Sequence, residues 1–223
     1  MEKRVFIGFA LLFFSFTISA QVLVRYEPRH KVALVNRWIR LLDVRIPPGD
    51  TSLFHIHEIP SYFIPLSTSV IGVEIKGQSP QESKFSIGAN WYNAFENGPL
   101  IHRVWNIDTN VLHVIDLELL TTRNFSTVAQ FELPNSKLDF ENERLRVYKL
   151  ELKPGQNLSL PFLNTPMLLI SASGPELEIK NTEKVNSSSQ LKPGSFQWFN
   201  PLEKFQLSNK GNSVINAVLI LVK

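Results

Sequence analysis

The sequence predicts an all-β chain: two tandem copies of one barrel- or sandwich-like plan behind an N-terminal signal peptide. Three observations predict it. Short apolar–polar runs alternate with Pro- and Gly-bearing turns from Val32 onward, with no long amphipathic helix among them. One stretch of about 25 residues recurs further along the chain with its turn residues aligned. Lys3 and Arg4 precede an apolar run, Val5–Ala20, that ends in small residues.

That first segment reads as a secretory signal over residues 1–20. Its apolar run of 16 residues is short of the ~20 that span a bilayer. An uncleaved anchor is the competing reading. With cleavage the chain is expected to be exported, periplasmic or extracellular, and to keep no stable membrane span. Lys+Arg then falls from 23 to 21 and Asp+Glu from 20 to 19, a net charge of about +2. Such a balance, with no basic run, argues against a nucleic-acid partner. The absence of cysteine excludes disulfides and thiolate chemistry, so the core must carry the stability.

The strand-like segments follow in order. "WIRLLDVRI" (Trp38–Ile46) alternates its faces and runs into the turn "PPGD" (Pro47–Asp50). "SLFHIH", "SYFIPL" and "SVIGVEI" (Ser69–Ile75) follow, and then a polar loop, Lys76–Ser83. "LIHRVWN" (Leu100–Asn106), a turn at Ile107–Asn110 and "VLHVIDLELL" (Val111–Leu120) read as a hairpin.

Arg40–Ile64 and Arg146–Ile170 share one pattern at a constant offset of 106. Arg40 falls on Arg146, Pro48 on Pro154, Gly49 on Gly155, Pro60 on Pro166 and Ile64 on Ile170. Asn106–Leu119 likewise matches Asn209–Val222 at an offset of 103. The copies are expected at 22–126 and 139–223, with residues 127–138 as the connection.

Within the first copy, His55 and His57 are one residue apart and share a face if the segment is a strand. Gly49, five residues, then His-x-His resembles the first motif of the cupin superfamily. His102 followed four residues later by Asn106 resembles the end of the second, although "NGPLIH" replaces the usual Pro-x-Gly. The resemblance spans both copies and implies a bicupin: two double-stranded β-helix (jelly-roll) barrels. It implies a divalent metal site on His55, His57 and His102. One departure matters. Where the family carries a glutamate ligand, four or five residues after the second histidine, this chain has Ser61 and Tyr62. These two are candidates for a substitute ligand or a supporting hydrogen bond. Glu58 adjoins His57 on the strand and should face the other way.

Neutral imidazoles suit iron, zinc, manganese, nickel or copper, among which the sequence does not choose. Three of them leave the ion's charge uncompensated and favour an anionic further ligand. The alternative is a buried histidine pair satisfied by backbone carbonyls. The second copy acts as an internal control: its counterparts of His55, His57 and His102 are Pro161, Leu163 and Phe205. The fold therefore needs no histidine at these places. Trp91, Tyr92 and Phe95 either line a pocket or fill core, and Asn106 either fixes a turn or meets a ligand. His113 carries no motif, and His30, in "EPRHK", reads as solvated.

The expected function is a metal-dependent dioxygenase or isomerase acting on a small anionic molecule. The rival is a non-catalytic small-ligand-binding or structural protein. A homodimer is compatible with either.

Overall fold

Apolar side chains at every second position give a strand a buried face, and here several strands, among them Ser61–Pro65 and Leu112–Leu119, bury both. The computed structural model describes residues 21–121, 133–160, 163–183 and 187–223. The expected signal segment, 1–20, lies outside the described residues, as does the first half of the expected connection, 127–132. The strands of the first half are β1 (Val22–Leu23), β2 (His30–Val35), β3 (Ile39–Ile46), β4 (His55–His57) and β5 (Ser61–Pro65). They continue as β6 (Ser69–Ile75), β7 (Gln81–Phe85), β8 (Trp91–Asn93), β9 (Leu100–Asn106) and β10 (Leu112–Leu119). The second half has β11 (Ser136–Glu141), β12 (Leu145–Leu152), β13 (Asn157–Ser159), β14 (Met167–Ser173) and β15 (Leu177–Asn181). It ends with β16 (Ser188–Leu191), β17 (Phe196–Phe199), β18 (Phe205–Ser208) and β19 (Ile215–Val222). A 3₁₀ turn at Val24–Tyr26 is the sole helical element among the described residues. No described helix is long and apolar enough to cross a membrane.

Each half pairs two sheets. The first has the orders β1-β4-β9-β6-β7 and β2-β3-β10-β5-β8. The second has β13-β18-β15-β16 and β11-β12-β19-β14-β17. Strand for strand, β2–β10 and β11–β19 follow one path. Even the bulge recurs: β2 slips register against β3 between Val32 and Leu34, and β11 against β12 between Leu138 and Phe140. The aligned Pro-Gly turns carry Gly49 at φ 73° and Gly155 at φ 76°, in the left-handed region open to glycine. β11 begins at Ser136, inside the stretch expected to connect the copies.

β9 and β10 do not form a hairpin. They lie in opposite sheets, and the turn between them carries the chain across the barrel. Asn106 builds that crossing. Its Nδ2 donates to the carbonyls of Ile46 (2.8 Å) and Asn110 (2.7 Å), and its Oδ1 accepts from the Asp108 amide (2.9 Å). Asn209 repeats this with Leu152, Ser213 and Gly211. Asn106 is thus a turn-builder and not a cavity residue.

Three cores result. One fills the first half (Leu42, Val44, Ile46, Phe63, Val104, Val114) and one the second (Leu150, Leu169, Leu207, Leu219). The third lies between the halves, where Ile39, Leu41, Ile64 and Leu117 meet Leu145, Leu168, Ile170 and Ile220. Each fully buried Leu or Ile there stabilises the fold by about 1.5–3 kcal/mol.

Candidate metal centre

The strand pairing decides which side chains share the interior of the first half. β4 pairs antiparallel with β9, and His55 sits directly opposite His102. His57, two residues on, shares the face of His55. On the opposing sheet His30 pairs with Val44, an interior residue, and so faces inward as well. Four of the chain's five histidines therefore meet around one cavity.

His30, His55 and His57 are buried, and one nitrogen from each lies within 4.8 Å of the others. This trio could hold a metal ion. His102 joins it with its ring 4.5 Å from that of His55 and 5.0 Å from that of His57, centroid to centroid. The Nε2 atoms of His57 and His102 are 3.0 Å apart. Two adjacent donors about 2.1 Å from a common ion would be separated by about that distance. His30 corrects the sequence reading: it is a member of the cluster, 6% exposed, and not solvated.

The outer nitrogens are held in turn. His30 Nδ1 donates to Glu27 Oε2 (2.7 Å), and His55 Nδ1 donates to the Leu53 carbonyl (2.9 Å). In both rings this leaves the Nε2 lone pair for the cavity. His55 Nε2 is buried with no hydrogen-bond partner. His57 Nδ1 is also unpartnered and lies 3.5 Å from Asp116 Oδ2. Asp116 is 1% exposed; Ser61 lies beside it but gives its hydroxyl to the Ile59 carbonyl (2.9 Å). The orphaned, buried Nε2 lone pair of His55 at this cavity is what a cation would satisfy.

Burial sets the charge state. It pulls His55 down to about 2, with help from His30 and His102, and His102 down to about 4. His57 is also held well below the usual imidazole range, by burial first and then by its histidine neighbours. Burial pushes Asp116 well above the usual carboxyl range, and the adjacent Glu118 adds to this. Burial is the largest single influence on Glu27 and opposes its ionisation, but His30 and the Leu53 and Arg29 amides together outweigh it and keep that carboxyl low. His55, His57 and His102 thus offer neutral nitrogens, the form that binds metal.

The cavity holds about 60 Å³. That is room for a few waters or a ligand of few heavy atoms. Its other walls include Phe63, Phe85, Trp91 and Val114. Phe95 stacks on His57, 5.6 Å between centroids and 15° between planes, from a left-handed backbone (φ 54°). A bulky residue there stores roughly 1–3 kcal/mol of strain.

Of the other sequence candidates, Trp91 lines the cavity and Tyr92 does not: it packs on Phe140 in the core between the halves. Tyr62 also points away, into that core, and its hydroxyl donates to Asp139 Oδ2 (3.1 Å). It is no substitute ligand. Ser61 is fully buried on the Asp116 side but spends its proton on the backbone. His113 faces outward from the first half and meets Asp43 Oδ1 at 2.8 Å. In the second half, Leu163 and Phe205 pack against the core, while Pro161 lies outside the described residues. The sequence reading missed Glu27, His30 and Asp116.

No family model matches the sequence, and no curated protein does. Solved structures do share the fold. AerE from Microcystis aeruginosa is 14% identical, with a TM-score of 0.57 over 89% of this chain and 99% of its own. A cupin 2 conserved barrel domain protein from Leptotrichia buccalis is 13% identical, with a TM-score of 0.56 over 86% and 88%. A salicylate 1,2-dioxygenase from Pseudaminobacter salicylatoxidans is 8% identical, with a TM-score of 0.61 over 89% and 78%. The chain has a cupin fold, and at these identities the likeness carries the fold alone.

Proposed function

We propose that this is an exported cupin-fold protein that holds a divalent transition metal in its N-terminal barrel and presents it to a small anionic molecule, as a dioxygenase or isomerase would. The barrel would span about 22–126, with 127–138 leading to a second, metal-free barrel at 139–223. One observation carries the reading: four imidazoles with their titration held down or their outer nitrogens tied converge on one cavity. His30, His55, His57 and His102 would hold the ion. A bound ion would supply Lewis acidity, redox capacity if it is iron or copper, and a preference for anions, since all four donors are neutral.

The chain's own groups do the rest. Glu27 and the Leu53 carbonyl orient His30 and His55. Phe63, Phe85, Trp91 and Phe95 exclude water around the rings and strengthen every charge interaction inside. The cavity volume limits the ligand to a few heavy atoms unless the Trp91 wall moves. That limit favours a second reading, a non-catalytic binder of a small anion.

Cobalt(II)-loaded protein tests the proposal. Its visible absorption should change on adding oxalate or another small carboxylate, and the change should vanish in His57→Leu. Oxygen uptake by the iron(II)-loaded protein with such an anion would separate enzyme from binder. A cobalt spectrum indifferent to every small anion would contradict both readings.

A further inference from the structure

We infer that Asp116 is the positioning residue of this centre: it accepts a hydrogen bond from Nδ1–H of His57 and so fixes that ring with Nε2 toward the cavity. The inference rests on the metal reading and goes beyond it.

A ring that gives its Nε2 lone pair to an ion carries its proton on Nδ1, and the orientation of the ring is set by what that proton meets. For His57 the group that faces Nδ1 is Asp116, at 3.5 Å, and both atoms lack any other hydrogen-bond partner. The Nε2 of the same ring faces His102 at 3.0 Å. The ring therefore has one edge toward His102 and one toward Asp116, whose side chain also reaches the cavity wall. His30 shows the same arrangement already closed, with Nδ1 2.7 Å from Glu27. Two of the four rings are thus backed by an acid, one from each side of the cavity.

The second half supplies the independent argument. The register pairs His30 with Val44 and Ser136 with Leu150, so the offset of 106 holds through β2 and β11. Glu27 then falls on Leu133, and at the offset of 103 Asp116 falls on Leu219. Both leucines are buried in the second core. The same fold accommodates leucine at both places without difficulty. A fully buried, unpartnered acid in a core strand lowers stability unless it serves something. Both acids occur only in the half that has the imidazoles.

The test uses metal-stripped full-length protein titrated with Zn²⁺ and Co²⁺. Asp116→Leu, which installs the second half's residue, should weaken binding by about 10–100-fold. Asp116→Asn keeps an acceptor oxygen and should lose about tenfold or less. The metal-free Asp116→Leu protein should melt no lower than the parent, because an unpartnered acid is gone; a merely structural Asp116 would lower it. In the zinc-loaded parent, nitrogen–proton NMR should show a downfield Nδ1–H for His57 that disappears in Asp116→Leu. Parent-like affinity and an unchanged His57 resonance in Asp116→Leu would overturn the inference alone. No uptake of either ion by the parent would overturn the metal reading, and the inference with it.

Discussion

Asp116 on β10 and Leu219 on β19 occupy the same place in two copies of one fold, and the contrast extends to every member of the centre. Glu27 stands where the second half has Leu133, His30 where it has Ser136, His57 where it has Leu163 and His102 where it has Phe205. The second half meets four of these positions with apolar core (Leu133, Leu163, Phe205 and Leu219), including a Phe199–Phe205 ring contact at 4.2 Å, while Ser136 is half-buried and donates its hydroxyl to the Leu133 carbonyl. The first half gives up part of that core for polar groups that are individually costly to bury. Features needed for the fold recur in both halves: the Pro-Gly turn, the bulge and the Asn106/Asn209 crossing. What occurs in only one half is what the fold does not need.

Making the first half resemble the second should therefore remove function and spare structure. The largest effect is expected from His57→Leu: metal affinity falls by more than about 100-fold, since a ligand is lost and not only its support, while the apo protein's melting point holds or rises. Equilibrium dialysis and calorimetry would read the two effects. Next, Asn106→Ala and Asn209→Ala should cost about 2–4 kcal/mol each, and nearly equally, because each removes the same hydrogen bonds to two carbonyls and an amide. Unequal losses in denaturant titrations would show that the two crossings are not equivalent.

The pH dependence of the metal-free protein should be smaller per unit and specific to the first half. Below 6.5 an unfolded histidine binds a proton that buried His102 refuses until about 4 and His55 until about 2. The unfolded state then binds more protons, so stability falls as pH drops through that window, by up to about 1.4 kcal/mol per pH unit for each ring. Replacing both rings with the second half's apolar residues should flatten the slope. Smallest of all, Arg103→Ala breaks the partly exposed contact with Glu74 and should cost less than about 1 kcal/mol.

Much of this was legible in the chain. The spacing from Gly49 to His55 and His57 marked the strand pair, and the offset of 106 marked the repeat. His30 was not legible because the bulge between Val32 and Leu34 breaks the alternation of β2, so only the pairing with Val44 shows its face. Asp116 had a signal: aligned at an offset of 103, it is an acid where the other copy has leucine. The hairpin reading of β9 and β10 hid it, since a hairpin partner would have given that strand an outer face. Tyr62 and Tyr92 misled because adjacent strand residues point to opposite faces, and theirs is the face between the halves.

The most direct test is elemental analysis of the protein made without a histidine tag. The account predicts a stoichiometric divalent transition metal, lost in the His55→Ala/His57→Ala double variant, with the metal-free parent gaining thermal stability when the ion is restored. A parent protein that carries no metal, and whose melting point does not move when Zn²⁺, Co²⁺, Fe²⁺, Mn²⁺, Ni²⁺ or Cu²⁺ is added, would contradict it.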